Sequence, residues 1–197
     1  MWIGLGILAF LLLLALWAVG LYNRLIAQRN QVKNAWSQID VQLQRRYDLI
    51  PNLVESVKGY MNFERGTLEA VIQARNQASS AREAIQKQGG PTGEGDLKPL
   101  LAAETALQGT MTKFFALSEN YPQLKASENM MQLQEELSST ENKVAFARQA
   151  YNDQAMVYNT TQQVFPTNLL ATTFGHHPAD LYLVEEPEAK KAVKVSF

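Results

Sequence analysis

The sequence predicts an all-α protein: an N-terminal transmembrane helix continuous with an antiparallel up-and-down four-helix bundle. Three observations lead there. From Trp2 to Leu21 there are 20 consecutive residues without a charge, about 30 Å of α-helix and therefore the thickness of a bilayer's hydrocarbon core. Beyond them, apolar residues recur at steps of three and four along most of the chain, the signature of helix faces that bury against one another. The strongest helix breakers fall at a few places between these runs, dividing the remainder into four helical segments.

The first segment, residues 1–22, reads as a retained anchor and not as a cleaved signal. No charge precedes Asn23, the apolar run has full span length, and only Ala18-Val19-Gly20 loosely resembles a cleavage site. Trp2 at one end and Trp17 and Tyr22 at the other suit two interfacial aromatic belts. Arg24, Arg29 and Lys33 follow with no acid before Asp40. Positive flanks stay in the cytoplasm, so the expected arrangement is a single pass through the inner (plasma) membrane, N-terminus outside and bundle inside.

The bundle is expected over residues 23–165. Val32, Trp36, Ile39, Leu43 and Ile50 make one face of a first helix, about 23–47, with Arg46 in the slot that an apolar residue would take. Asp48-Leu49-Ile50-Pro51 reads as a break, since Pro is tolerated only in a helix's first turn. A second helix, about 49–88, carries Leu53, Val57, Tyr60, Leu68 and Val71 or Ile72. The run from Gly89 to Asp96, with four glycines and a proline, is a connection. It lacks the preceding strand and the Lys-Ser/Thr pair of a phosphate loop. A third helix, about 97–120, has Leu100, Leu107, Met111 and Phe114, with Glu104 in a seam slot, and stops at Tyr121-Pro122. The fourth, about 125–164, is the most regular: Met130, Leu133, Leu137, Thr140, Val144, Ala147 and Tyr151 alternate steps of three and four in a coiled-coil-like seam. Residues 166–197 read as a membrane-proximal segment followed by a loose charged tail from Glu185 to Phe197.

Composition bounds the chemistry. A formal charge of -1 with 19% charged residues supplies no basic field, so no nucleic-acid partner is expected. The chain has no cysteine, which removes disulfides, thiolate metal sites and cysteine nucleophiles. Its two histidines, His176 and His177, are adjacent in a probable-loop composition and lack the spacing of metal ligands. There is no HExxH, no GxSxG and no serine with a credible histidine base. No catalytic residue, metal or cofactor is expected, and the chain reads as a non-enzyme.

Three groups of residues are candidates for other roles. Arg46, Glu64, Glu104, Glu141 and Arg148 lie in or beside apolar seams and are candidates for interhelical ion pairs that fix register, or for long side chains that reach the surface at the seam edge. Arg45, Asp48, Asn52, Glu119 and Tyr121 are expected to cluster at the turns far from the membrane, as an interaction surface or as ordinary turn residues. Phe165, Leu169, Leu170 and Phe174 are expected near the bilayer, against the lipid interface or capping the core.

The stretch Ala35 to Tyr60, AWSQIDVQLQRRYDLIPNLVESVKGY, followed by Glu64 and Ala74-Arg75, resembles the signature of the LemA family of bacterial membrane proteins. The same is true of Glu119-Asn120-Tyr121-Pro122, of LQEELSSTENKVAFARQAYNDQAMVYN from Leu133 to Asn159, and of Phe165-Pro166. Phe63 stands where a histidine would be expected before Glu64. The resemblance implies a cytoplasmic four-helix bundle on one membrane helix. It implies no enzyme activity, ligand or catalytic residue, and it suggests a link with membrane-protein quality control or membrane organisation.

The reading that follows is a bilayer-anchored scaffold or interaction protein that self-associates as a homo-oligomer in membrane lipid. The alternative is an adaptor or regulator of a membrane protease or signalling partner in membrane-protein quality control.

Overall fold

The computed structural model describes residues 2–61, 64–91 and 93–183. Phe63 and the charged run from Glu185 to Phe197 lie outside the described residues. Six helices follow in order: α1 (Trp2–Val57), α2 (Arg65–Lys87), α3 (Lys98–Ser118), α4 (Pro122–Lys125), α5 (Glu128–Gln163) and α6 (Thr167–Thr173). No strand occurs among the described residues.

α1 is a single helix of 56 residues, about 84 Å long. An 18-residue window near its start has a mean hydropathy of 2.5, and none of it is buried by the rest of the chain. It is long and apolar enough to cross a membrane. The buried face begins at Leu25 and continues through Val32, Trp36, Ile39, Leu43, Ile50, Leu53 and Val57. The change from lipid-like exposure to periodic burial therefore takes place inside one unbroken helix.

The expected break at Asp48 to Pro51 is absent, and Pro51 sits inside α1. A proline within a helix leaves the carbonyl four residues back without its amide partner. Here that carbonyl belongs to Tyr47, and Arg75 Nε of α2 donates to it at 2.9 Å. Arg75 Nη2 also lies 3.6 Å from Asp48 Oδ1. A side chain from another helix thus supplies the donor that Pro51 withholds, and the turn moves out to residues beyond Val57.

α2 ends in a Schellman motif. Gly89 and Gly90 have φ of 81° and 103°, conformations that side-chain-bearing residues rarely take. The Gly90 amide donates to Ile85 O at 3.1 Å and the Gly89 amide to Gln86 O at 2.9 Å. α3 runs out again beside α2, α4 and its flanking turns reverse the chain at the far end, and α5 returns along almost the whole domain portion of α1. The topology is up-and-down.

α2 and α3 have only 23 and 21 residues, against 36 in α5. The Gly-rich connection consequently reaches only the level of Trp36, whose Cδ1 would lie 3.4 Å from a Cβ placed on Gly90. Nearer the apolar start of α1, α1 and α5 are joined instead by α6 and by the extended segment 176–183. That segment runs antiparallel along α5: the Ala179 amide donates to Asn159 Oδ1 and the Tyr182 amide to Asn152 Oδ1, both at 2.8 Å. Tyr151 OH donates to Asp180 O at 2.8 Å, and Asp180 Oδ2 accepts from the Gly95 and Leu97 amides at 2.7 and 3.1 Å. The strap thereby ties α5 to the connection that precedes α3.

Candidate functional site

Arg46 and Tyr47 are consecutive on α1, so they point about 100° apart, and both still reach Glu104 on α3. Arg46 Nη2 and Tyr47 OH hydrogen-bond to Glu104 Oε2 and Oε1 respectively. Arg46 Nη1 also donates to Glu141 of α5, at 3.1 Å to Oε2 and 3.3 Å to Oε1. One guanidinium therefore bridges carboxylates on two other helices. The Arg46 and Glu104 side chains are 10% and 7% exposed, whereas Glu141 is 56% exposed.

Burial alone would lower the Arg46 pKa, but the charges of Glu104 and Glu141 outweigh it and raise the value. Burial, then Glu104, raises that of Tyr47. The same two causes, in the same order, raise that of Tyr182, which the strap places beside this cluster. Both oxygens of Glu104 are engaged by fixed donors. The arrangement is suited to locking three helices in register, not to exchanging protons with a substrate.

The cluster forms the floor of a cleft between α3 and α5. Its outer part, about 350 Å³, is lined by Leu107, Met111 and Phe115 of α3 and by Gln134, Leu137 and Ser138 of α5, with Arg46 at the base. A contiguous part of about 230 Å³ continues past Glu141, Asn142 and Arg148 to Tyr182. Arg148 stacks over the Tyr182 ring, 5.7 Å from its centroid.

Among the five seam residues singled out by spacing, Arg46, Glu104 and Glu141 meet directly, and Arg148 lines the same cleft. Glu64 lies elsewhere, 3.4 Å from Tyr121 OH at the far end. The expected distal cluster does not assemble. Because α1 continues to Val57, Arg45, Asp48 and Asn52 sit on its flank below the turn, and Asp48 faces Arg75 and Gln44. Glu119, at the end of α3, and Tyr121 remain at the far end.

Arg82, Arg75 and Tyr182 are among the contributors that escaped sequence reasoning. Arg82 Nη1 donates to Asp40 Oδ1 at 2.7 Å in a pair whose side chains are 7% and 14% exposed. Arg75 holds the Tyr47 carbonyl. The signal was available for both arginines, since Val71, Arg75, Ala78, Arg82 and Ile85 continue the seam of α2 at steps of four and three. Tyr182, buried beside Arg148, had no periodic signal because its backbone is extended.

Where the apolar run of α1 ends, the Tyr22 ring packs 4.7 Å from that of Phe174 and 6.3 Å from that of His176. His176 Nδ1 is 2.9 Å from Tyr158 OH. Burial, then the neighbouring charges of Arg29 and His177, holds the His176 pKa below the ordinary histidine value. Trp2 and Trp17 lie on the uncovered surface of α1. Phe165, Leu169 and Phe174 are exposed, and Leu170 packs partly against the core. No group of three or more potential metal ligands occurs among the described residues.

Comparison with known proteins gives the chain its relatives. It is similar to Protein LemA of Metamycoplasma hominis, with 29% identity over 170 residues, 86% of this chain and 72% of that protein. It is also similar to Magnetosome protein MamQ 2 of Paramagnetospirillum magneticum, 27% identical over 180 residues, and to Magnetosome protein MamQ of Magnetospirillum gryphiswaldense, 25% identical over 179. Each of those two matches takes in 84% of this chain and 65% of the magnetosome protein, so the chain spans slightly less than two thirds of their length. None of these relatives is named as an enzyme. The LemA family model matches residues 35–197, from the stalk of α1 through the whole helical domain and the strap, and the chain belongs to the LemA family.

Proposed function

We propose that this protein is a single-span, membrane-anchored interaction module whose helical domain stands on the cytoplasmic side and self-associates in the bilayer. The observation that carries the reading is α1 itself. Its apolar start is covered by none of the other described residues, and it passes without interruption into the core of the domain. Lateral contacts made in the membrane are thus transmitted to the domain through one rigid element. Arg24, Arg29 and Lys33 on the exit from the apolar run support the cytoplasmic side.

Crosslinking in intact membranes, followed by mass spectrometry of the excised bands, tests this. Bands at multiples of the chain's mass containing only this chain are expected, and a monomer at every concentration and crosslinker length would overturn self-association. A second reading, an adaptor for another membrane protein, is favoured by the α3–α5 cleft, whose apolar walls of Leu107, Met111, Phe115 and Leu137 over a charged floor suit a segment of a partner protein. It predicts a heterologous band from the same experiment.

A further inference from the structure

The base of the domain carries a surface that core packing does not explain. α6 buries Thr167 and Ala171 against the bundle and turns its other face outward. Phe165 is 80% exposed, Leu169 61% and Phe174 55%, and exposed Val164 extends the patch. Large apolar groups gathered in this way signify a contact surface.

What covers the patch is indicated by where it stands. Phe174 packs on Tyr22, the residue at the end of the uncharged run of α1. If that run spans the bilayer, as the proposed function holds, Tyr22 is at headgroup depth and α6 is beside it. The patch is then continuous with the uncovered apolar surface of α1. The chemistry of the segment fits the same place. No Asp, Glu, Lys or Arg occurs from Gln154 to Ala179, although about a fifth of the whole chain is charged. The exposed hydroxyls of Thr172 and Thr173 donate to the carbonyls of Asn168 and Leu169, at 2.9 and 2.8 Å. With those donors satisfied internally, the outer face of α6 loses little on leaving water.

We infer that α6 is a second membrane contact, a short interfacial helix that seats Phe165, Leu169 and Phe174 in the headgroup and upper acyl region beside the α1 span. The domain is then held at two points. A single helix crossing the bilayer leaves rotation about its own axis and tilt free, whereas a span plus a laterally offset wedge fixes which face of the bundle looks along the membrane and which looks away.

The inference rests on the membrane-anchor reading, and the test separates the two. The chain has no cysteine, so Leu13→Cys, Leu169→Cys and Phe146→Cys in the full chain each give one labelling site. All three positions are exposed. Each labelled protein is reconstituted in phosphatidylcholine–phosphatidylglycerol vesicles containing lipids with nitroxide quenchers at shallow or deep positions. The label at 169 is expected to be quenched severalfold more strongly by shallow than by deep probes, that at 13 by deep probes, and that at 146 by neither. If 13 is quenched while 169 behaves like 146, the anchor stands and the interfacial role of α6 is overturned. If 13 is also unquenched, the anchor reading falls and this inference falls with it. If 169 becomes shielded from lipid and aqueous quenchers alike as protein density rises, a second copy covers α6 and the inference is overturned in favour of a protein contact.

Discussion

Arg46 shows how a buried charge is made tolerable in this bundle. Its guanidinium is answered by Glu104, itself buried, and by Glu141, which is half in water. The two acids should therefore respond differently to neutralisation. Glu104→Gln leaves the guanidinium inside without its main counter-charge and is expected to cost about 3 kcal/mol. Glu141→Gln is expected to cost less than about 1 kcal/mol, because water already screens that pair. Urea unfolding of the full chain in detergent micelles, followed by tyrosine and tryptophan fluorescence, distinguishes the two, and equal losses would contradict the burial argument. Arg46 and Glu104 were legible in the sequence because each occupies a slot where the apolar rhythm is interrupted, and Glu141 because it stands beside the seam slot at Thr140. Tyr47 was not, since an aromatic at a helix seam reads as core until its hydroxyl is seen to reach a carboxylate. Asp40 was also hidden, because it flanks the seam and acquires its role only when Arg82 arrives from α2.

At the scale of the element, the continuity of α1 depends on a partner far away in sequence. Proline rules are local and place a helix boundary at Pro51, and nothing local reveals that Arg75 will hold the Tyr47 carbonyl. That single contact accounts for the largest error in the element boundaries. It also yields a double-mutant cycle. Arg75→Met is expected to lose about 1–2 kcal/mol by leaving a buried carbonyl unpaired. In a Pro51→Ala background the loss should shrink by about 1 kcal/mol, because the amide restored at position 51 can bond the same carbonyl. Additive effects would mean that Arg75 acts only through Asp48. The C-terminal end of α2 and both ends of α3 were read more closely, since Gly89-Gly90 and Tyr121-Pro122 stop helices by their own backbone preferences. The strap was missed because its order comes from the Asn152 and Asn159 side chains pairing with its backbone, a pattern with no period.

The whole molecule is two long helices, α1 and α5, with a shorter hairpin on their outer part and α6 with the strap on their inner part. The all-α class and the up-and-down order were legible because periodic burial and breaker residues carry them. The asymmetry was not, because it depends on how far the Gly-rich connection falls short of the apolar start of α1, which is settled by its approach to Trp36. Function follows from this shape. On the proposed function, in which the apolar start of α1 spans the bilayer, the domain has no hinge at the membrane and its orientation and any lateral association are linked to the anchor. The most direct test is the distance between spin labels at Leu16→Cys and Asn52→Cys, measured by double electron–electron resonance in nanodiscs. Both positions are exposed on α1, 36 residues apart and on the same face. A narrow distribution centred at about 54 Å is the expected result for one continuous helix. A broad distribution centred well below that distance would show a joint between span and domain, and would contradict the account of α1 as a rigid mount.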